Sequence, residues 1–274
     1  MTTVLFVPGA WLARAFYEPF LQGLVFAGYD VRYASYPSLD PADPCTTDCH
    51  ADAKAIAAVL HPLFELEGKD VLLFLHSYAG MPGAAAATGL AKSQRAREGK
   101  VGGVIELLFL GAFVVPEGLS CAGRQGGGLP PWILLDQENS LHQFGTKRNK
   151  PIDTDTLQPA ANLNIADDPI DNFAADVDFA LARSLIAYLK PHATLSFTSP
   201  QPHPAWADEA FRGLLAFIIT TRDRAVPKEA QFGMIAATKQ PWIVKEIPSS
   251  HCGLFLNRIQ ETVALTREVI ERFL

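Results

Sequence analysis

The chain has 274 residues, of which 49% are hydrophobic and 19% are charged, and its formal net charge is −6. This length and apolar content are ample for a large buried core in one or two domains, and a mildly acidic chain without a basic cluster argues against nucleic acid and anionic membranes as partners. No apolar stretch approaches the length of a membrane span and no secretory signal precedes the first apolar run, so we expect a cytoplasmic protein.

The four cysteines form no C-x-x-C pair. Cys45, Cys49 and His50 are close in sequence, but a fourth ligand at a spacing typical of zinc sites is missing. We therefore predict no metal site and cysteines that stay reduced.

Strand and helix patterns alternate over the first 110 residues. Short apolar runs of strand length are each followed by a segment with helical spacing, which is typical of a parallel sheet with right-handed crossovers. In chain order the predicted elements are a strand at 3–7, a helix at 16–27, a strand at 30–34, a helix at 47–66, a strand at 71–75, an Ala-rich helix after residue 79 and a strand at 104–110.

The alternation stops between residues 115 and 208 and then resumes. This region is rich in Pro, Gly and polar loops, and its clearest helical spacing runs from Phe179 to Leu189. After it the sequence predicts a strand at 213–220, a helix at 228–238, a strand at 242–247 and a helix at 260–273. We therefore predict an α/β fold with a core of residues 1–114 and 209–274, into which residues 115–208 are inserted as a cap.

The third strand ends in His76-Ser77 and runs directly into small residues, which is the strand–turn–helix pattern of a nucleophile elbow. In the G-x-S-x-G pattern the residues two before and two after the serine are small, because strand and helix nearly touch there. Here Leu75 and Ala79 hold those places, and leucine is a real departure. This stretch alone does not distinguish a nucleophile from an incidental serine, and we expect His76 to support packing or hydrogen bonding beneath the site.

Further candidate residues follow later strands. Asp223 follows the fifth predicted strand and His251 the sixth, and the carboxyl ends of parallel strands meet at one edge of a sheet. The chain order serine, aspartate, histidine is the order of an α/β-hydrolase triad, a far more specific signal than the elbow alone. We assign Ser77 as nucleophile, His251 as general base and then acid, and Asp223 as the acceptor that orients the imidazole.

The backbone N–H groups of Ala10 and Tyr78 are the predicted oxyanion hole, and Gly9 allows that backbone to come close. The histidines that compete with His251 follow no core strand: His142, His192 and His203.

At these positions the chain resembles the small α/β-hydrolases that include plant methylesterases and hydroxynitrile lyases, together with fungal relatives. The matching segments are Phe6-Val7-Pro8-Gly9-Ala10-Trp11, His76-Ser77-Tyr78-Ala79-Gly80, Asp223-Arg224-Ala225-Val226-Pro227 with Gln231, and Ser250-His251. The resemblance covers essentially the whole chain, more weakly in the cap. It implies an α/β-hydrolase fold with six parallel strands under a mostly helical cap, and no cofactor.

The chain also departs from these relatives. Pro8 replaces the histidine that usually precedes the oxyanion glycine, and Leu75 replaces the glycine two before the nucleophile. The hydroxynitrile lyases use a threonine in the oxyanion loop and a lysine after the catalytic histidine, where this chain has Ala10 and Cys252. Without that cation a leaving cyanide has no charge partner, so the resemblance disfavours cyanohydrin cleavage.

Three functions stay open. The first is a serine hydrolase that cleaves a carboxylic ester, thioester or lactone of a small apolar molecule through an acyl-enzyme. The second is a lyase, dehydratase or cyclase of small-molecule metabolism that uses the same site without an acyl-enzyme. The third is a ligand-binding protein that has lost the chemistry, since a fold does not fix function.

Aromatic side chains of the cap and the oxyanion loop predict an apolar pocket for a small-molecule substrate, although they would serve equally as the core of the cap. These residues are Trp11, Trp132, Phe144, Phe173, Phe179 and Trp206. The sequence does not set the oligomeric state, and a homodimer stays open.

Overall fold

The computed structural model describes residues 2–124, 126, 128–136 and 163–273. The strands are β1 (Thr3–Val7), β2 (Asp30–Tyr33), β3 (Asp70–His76), β4 (Gly103–Leu110), β5 (Ile133–Asp136), β6 (Leu163–Ala166), β7 (His192–Ala193), β8 (Leu215–Thr220) and β9 (Ile243–Ile247). The helices are α1 (Arg14–Phe26), α2 (Cys49–Glu65), α3 (Gly80–Ala86), α4 (Lys92–Arg97), α5 (Cys121–Arg124), α6 (Pro169–Ala174), α7 (Phe179–Arg183), α8 (Thr194–Thr198), α9 (Lys228–Thr238) and α10 (Ile259–Ile270).

Six strands of the described chain form one sheet in the order β2-β1-β3-β4-β8-β9, and neighbouring strands are parallel throughout. β3 lies inside the sheet between β1 and β4, and its residues from Val71 to His76 are buried. A strand buried on both faces has no alternation of polar residues, which is why a continuous apolar run marks it in the sequence. The six-stranded parallel sheet flanked by helices is therefore confirmed.

The predicted strands of this sheet begin and end within two residues of the observed ones. The predicted helices at 16–27 and 47–66 also agree with α1 and α2 to within two residues, and local signals mark the ends of these helices. Gly28 ends α1 with a φ of +94°, a conformation that glycine adopts without a steric penalty. Asp48 precedes α2 and accepts a hydrogen bond from the backbone N–H of Ala51 at 2.8 Å, as an N-cap residue does.

The predicted helix from Phe179 to Leu189 is wrong as a single element. It is divided into α7 and a 3-10 turn at Ser184–Tyr188. Leu181 and Leu185, which are four residues apart, do not share one buried face: Leu181 is 40% exposed and Leu185 is fully buried. The chain must then reach the core, where Leu189 forms a β-bridge with Leu12, and this tertiary contact overrides the helical spacing.

A three-stranded antiparallel sheet in the order β5-β6-β7 was not predicted. Its strands are only two to four residues long, so their alternation is too brief to stand out from loop sequence. β7 also joins the inserted region to the core through a bridge between His192 and Leu39. The boundaries of the cap at residues 115 and 208 stay a prediction. In the described part of the chain, no helix combines the length and the apolarity that crossing a bilayer requires.

Glu106 lies in the middle of β4, opposite Leu72, and is fully buried. Neither carboxyl oxygen has a hydrogen-bond partner within the described residues. Burial raises the pKa of Glu106 well above its usual value, so the side chain is held as a neutral acid in an apolar interior.

We expect Glu106→Met to raise the free energy of unfolding by about 1–3 kcal/mol near neutral pH, because an unpaired polar group leaves the core. The folded wild type keeps a proton that the unfolded chain releases above the ordinary glutamate pKa of 4.5, so wild-type stability falls as pH rises beyond that value. The difference in Tm between variant and wild type should therefore widen from about pH 5 to about pH 8 in thermal denaturation. Glu106→Gln, which cannot titrate but stays polar, is the control. A difference that stays constant or narrows would show that Glu106 does not titrate in this way.

Candidate active site

Ser77 begins a 3-10 turn, Ser77–Ala79, that connects β3 directly to α3. Its φ is +55°, the left-handed region that residues other than glycine rarely adopt. Such strain is typical of functional turns, because it lifts the side chain out of the strand and towards a substrate. Gly80 permits the turn, since a Cβ there would overlap with the carbonyl oxygen of Phe113. The predicted nucleophile elbow is therefore present in the backbone.

Leu75, the departure from the usual motif, packs against Gly83 of α3. A Cβ on Gly83 would overlap with the Leu75 side chain, and Leu75 itself is fully buried. Strand and helix thus approach closely here as the motif demands, but the glycine lies on the helix and the large side chain on the strand.

The side chains of Ser77, His251 and Asp223 form a continuous hydrogen-bonded chain. His251 Nε2 lies 2.8 Å from Ser77 Oγ, and His251 Nδ1 lies 2.6 Å from Asp223 Oδ2. All three residues are buried, although they come from the ends of three different strands. The sequence analysis selected these residues, and the structure brings them together.

Asp223 is held by donors on both of its oxygens. Oδ1 accepts from the backbone N–H groups of Ala225 at 2.9 Å and Val226 at 2.8 Å. Oδ2 accepts from the Thr220 hydroxyl at 2.7 Å as well as from His251. Gln231, buried on α9, donates to the Thr220 hydroxyl at 2.9 Å and so orients it towards Asp223. The carboxylate is thereby fixed in the position that orients the imidazole.

The loop after β1 lies directly against Ser77. A Cβ built on Gly9 would be 2.7 Å from His76 Nδ1 and 3.0 Å from Ser77 Cβ, so only glycine allows this approach. The next residue, Ala10, and the residue after the nucleophile, Tyr78, are both buried beside this contact. The two predicted oxyanion donors thus belong to segments that meet at Ser77.

His76 and Tyr17 lie beneath the site. The Tyr17 hydroxyl is 3.0 Å from the Gly9 nitrogen and 3.1 Å from His76 Nδ1, and His76 Nε2 is 3.3 Å from the carbonyl oxygen of His251. Burial, reinforced by neighbouring His251, lowers the pKa of His76 well below its usual value, so this imidazole is neutral. His76 is therefore a hydrogen-bonding support.

A second cluster of aspartate, serine and histidine is not a triad. Asp52 accepts from the Ser38 hydroxyl at 2.5 Å and the Tyr78 hydroxyl at 2.6 Å, and Ser38 Oγ lies 3.1 Å from His192 Nε2. The carboxylate therefore contacts the serine rather than the far nitrogen of the imidazole. Burial raises the pKa of Asp52 to about 6 and lowers the pKa of His192 to about 3. The cluster connects α2, Tyr78 and β7.

The other rival histidines do not compete with His251. His203 lies at the surface between Glu117 and Asp208, each 2.8 Å away, and these carboxylates raise its pKa. His142 lies outside the described residues.

An apolar pocket lies next to the side chains of Ser77 and His251. Of the residues proposed for a pocket, Trp11 and Trp132 line it together with Ser77 and His251. The remaining described lining is Phe113, Cys121, Pro130, Ile133, Phe197, Ala225 and Val226. Apart from the two indoles, the polar side chains of its described lining are those of Ser77, His251 and Cys121, so the pocket suits an apolar group next to Ser77.

The other predicted pocket residues are placed differently. Phe173 lies behind the lining, with its ring 5.7 Å from that of His251. Trp206 is not part of the described lining, because its turn at Ala205–Ala207 packs against α3 and buries the indole between core and inserted region. Phe179 is 66% exposed, and Phe144 lies outside the described residues.

Cys252, which follows His251, is fully buried. Burial raises the pKa of its thiol well above the usual value, so the side chain is neutral. Its backbone N–H donates to the carbonyl oxygen of Phe173 at 2.7 Å and holds the His251 loop against α6. This position supplies no cation next to the reacting atoms.

The sequence analysis missed the supporting residues Tyr17 and Asp52, and also Tyr36, whose hydroxyl donates to the carbonyl oxygen of Pro8 at 3.1 Å. Tyr17 lies on the buried face of α1 with Phe16 and Phe20. The sequence does not distinguish a tyrosine whose hydroxyl supports a site from one that only fills the core. The signal available for Asp52 is an acidic residue on the apolar face of α2, four positions before Ile56.

Comparisons with known proteins identify the family of this chain. Residues 4–265 match the model of the "Alpha/beta hydrolase family". A curated relative named "Alpha/beta hydrolase nvfD", from Aspergillus novofumigatus, is 25% identical over 235 residues, which cover 84% of this chain and 82% of the relative.

Solved structures show the same fold at low identity. A pyrethroid hydrolase from Sphingobium faniae JZ-2 is 18% identical with a TM-score of 0.67, and the match covers 97% of this chain and 96% of that one. The methylesterase MES16 from Arabidopsis is 13% identical with a TM-score of 0.69, and the match covers 99% of both chains. With the family model matching nearly the full length, these findings confirm the resemblance drawn from the sequence: the chain belongs to the α/β-hydrolase family and is an enzyme of that fold.

Proposed function

We propose that this protein is a serine hydrolase that cleaves a carboxylic ester, thioester or lactone of a small apolar molecule. The observation that carries the proposal is the buried chain of hydrogen bonds from Asp223 through His251 to Ser77. A serine hydroxyl is a weak nucleophile unless a base takes its proton during attack, and this chain places such a base 2.8 Å from Ser77 Oγ.

In the first half of the reaction Ser77 Oγ attacks the substrate carbonyl carbon while its proton passes to His251 Nε2. Asp223, which accepts from His251 Nδ1, keeps the second imidazole proton on that nitrogen and stabilises the imidazolium. His251 then gives its proton to the leaving alcohol, thiol or ring oxygen, and an acyl-enzyme on Ser77 remains.

The carbonyl oxygen becomes negatively charged as the tetrahedral intermediate forms. The backbone N–H groups of Ala10 and Tyr78 would donate to this oxygen, and loss of one such donor typically costs about 3–4 kcal/mol of transition-state stabilisation. The close approach of Gly9 to Ser77 supports this assignment, because it brings the loop that carries Ala10 to the reacting centre.

In the second half of the reaction water replaces the leaving group. His251 takes a proton from the water as it attacks the acyl carbon, and then returns a proton to Ser77 Oγ as the acid product leaves. The two halves use the same residues in reverse order, so no group beyond the triad is required for proton transfer.

The apolar pocket lining supports a substrate whose acyl or alcohol part is apolar. The similar proteins named as a pyrethroid hydrolase and a methylesterase are consistent with carboxylic esters as the substrate class. The proposed partner is thus a small apolar ester that enters between the oxyanion loop and the cap.

Labelling with an alkyl fluorophosphonate tests the proposal. The reagent phosphonylates a serine that is activated by a base, so the folded protein should gain one adduct, which peptide mass spectrometry should locate on Ser77. Protein unfolded in denaturant is the control and should not react. Folded protein without an adduct on Ser77 would exclude the proposed mechanism.

A further inference from the structure

Two buried tyrosines hold the peptide group between Pro8 and Gly9. The Tyr36 hydroxyl donates to the carbonyl oxygen of Pro8 at 3.1 Å, and the Tyr17 hydroxyl accepts from the N–H of Gly9 at 3.0 Å. Both tyrosines are at most 3% exposed. The two polar atoms of this one peptide group therefore each have a hydroxyl partner, which fixes the orientation of the peptide plane.

Donors and acceptors can be assigned in only one way along the hydrogen bonds beneath Gly9. The Gly9 amide can only donate, so the Tyr17 oxygen accepts from it and its own proton points to His76 Nδ1. The carbonyl oxygen of His251 can only accept, so the proton of neutral His76 is on Nε2. This chain connects the oxyanion loop to the backbone of the catalytic base.

The ring of Pro8 fixes its own φ, and the Trp11 indole donates to Asn164 Oδ1 at 2.8 Å, but neither sets the plane of the peptide group between Pro8 and Gly9. Gly9 has no side chain to restrict its backbone angles, and Pro8 has no N–H to donate. The following peptide group carries the N–H of Ala10, and its direction depends on the plane that the tyrosines hold. A donor contributes to catalysis only if it already points at the developing charge.

We propose that Tyr17 and Tyr36 are positioning residues that hold the oxyanion loop in its catalytic orientation, with His76 orienting the Tyr17 hydroxyl. This inference rests on the proposed function, in which the Ala10 N–H stabilises the oxyanion. Tyr17 and Tyr36 do not touch the reacting atoms; they act through the backbone.

Removal of each hydroxyl as Tyr17→Phe and Tyr36→Phe tests the proposal. Each variant should lose about tenfold in kcat, less than removal of a donor outright, while KM changes little. Affinity for an alkyl trifluoromethyl ketone, which forms a tetrahedral adduct with Ser77, should fall by the same factor as kcat. Tyr29→Phe is the matched control, because that hydroxyl interacts with Arg267 at the opposite end of the sheet.

Purely structural tyrosines would give a different pattern. A loss of Tm with unchanged kcat and unchanged ketone affinity in both variants would overturn the proposal, as would equal losses in Tyr29→Phe. If one variant does not fold, the other decides by itself, because the two hydroxyls bind different atoms of the peptide group. Failure of the proposed function looks different again: the wild type itself would then show neither a fluorophosphonate adduct nor ketone binding.

Discussion

Ser77→Ala should reduce kcat for ester hydrolysis by about 10⁶-fold, the loss typical of removing the nucleophile of a serine triad. The hydroxyl lies 2.8 Å from His251 Nε2, and no other hydroxyl shares that contact within the described residues. Stability should change little, because alanine must adopt the same φ of +55° and removes no side-chain packing. Initial rates with a panel of apolar esters and a thermal denaturation curve check both expectations.

Ser184→Ala is the control for this substitution, since the Ser184 hydroxyl is exposed and donates within its own turn. Ser77→Ala that retains turnover would contradict hydrolysis through an acyl-enzyme. It would favour a lyase, dehydratase or cyclase, in which His251 moves protons and the oxyanion hole stabilises an enolate. A protein that binds a ligand tightly with neither turnover nor adduct would instead be a receptor.

Asp223→Asn should lower kcat by roughly 10⁴-fold with the fold intact. Oδ1 of Asp223 accepts two backbone N–H groups, so the amide oxygen of asparagine will keep that side. The amide NH₂ then faces His251 Nδ1, which must accept instead of donate. The imidazole proton moves to Nε2 and faces Ser77, and the base can no longer accept the serine proton.

Asp171→Asn is the matched control, because Asp171 pairs with Arg224 at the surface near the same loop. We expect it to leave kcat close to that of the wild type. Asp223→Asn with nearly full activity and an unchanged pH–rate profile would show that the carboxylate does not set the tautomer of His251.

Two kinds of sequence signal, position and residue type, together selected the proposed triad. Continuous apolar runs identify the strands of a parallel sheet, and catalytic residues follow their carboxyl ends. Ser77, Asp223 and His251 each combine such a position with a residue type suited to one role. No pattern of this kind exists for Tyr17 and Tyr36, whose hydroxyls meet the loop only through tertiary packing.

Tertiary contacts also made the inserted region the least predictable part of the chain. Its strands are short, and the spacing from Phe179 to Leu189 was overridden by contacts with the core. The aromatic content of the region predicted a pocket but did not separate the residues that line it from those that do not. Trp132 lines the pocket and Trp206 does not. The sequence could not separate them, because the core of a lid and the lining of an apolar pocket use the same residue types.

The contact between Leu75 and Gly83 has a consequence for how elbows of this kind are recognised. The crossing of strand and helix limits the combined volume of two facing side chains. A glycine at either of the two positions satisfies that limit. A search pattern that requires a glycine two residues before the serine therefore rejects chains that place it six residues after, as this one does. A pattern written for the pair of positions would accept both arrangements and would still reject a chain with two large residues.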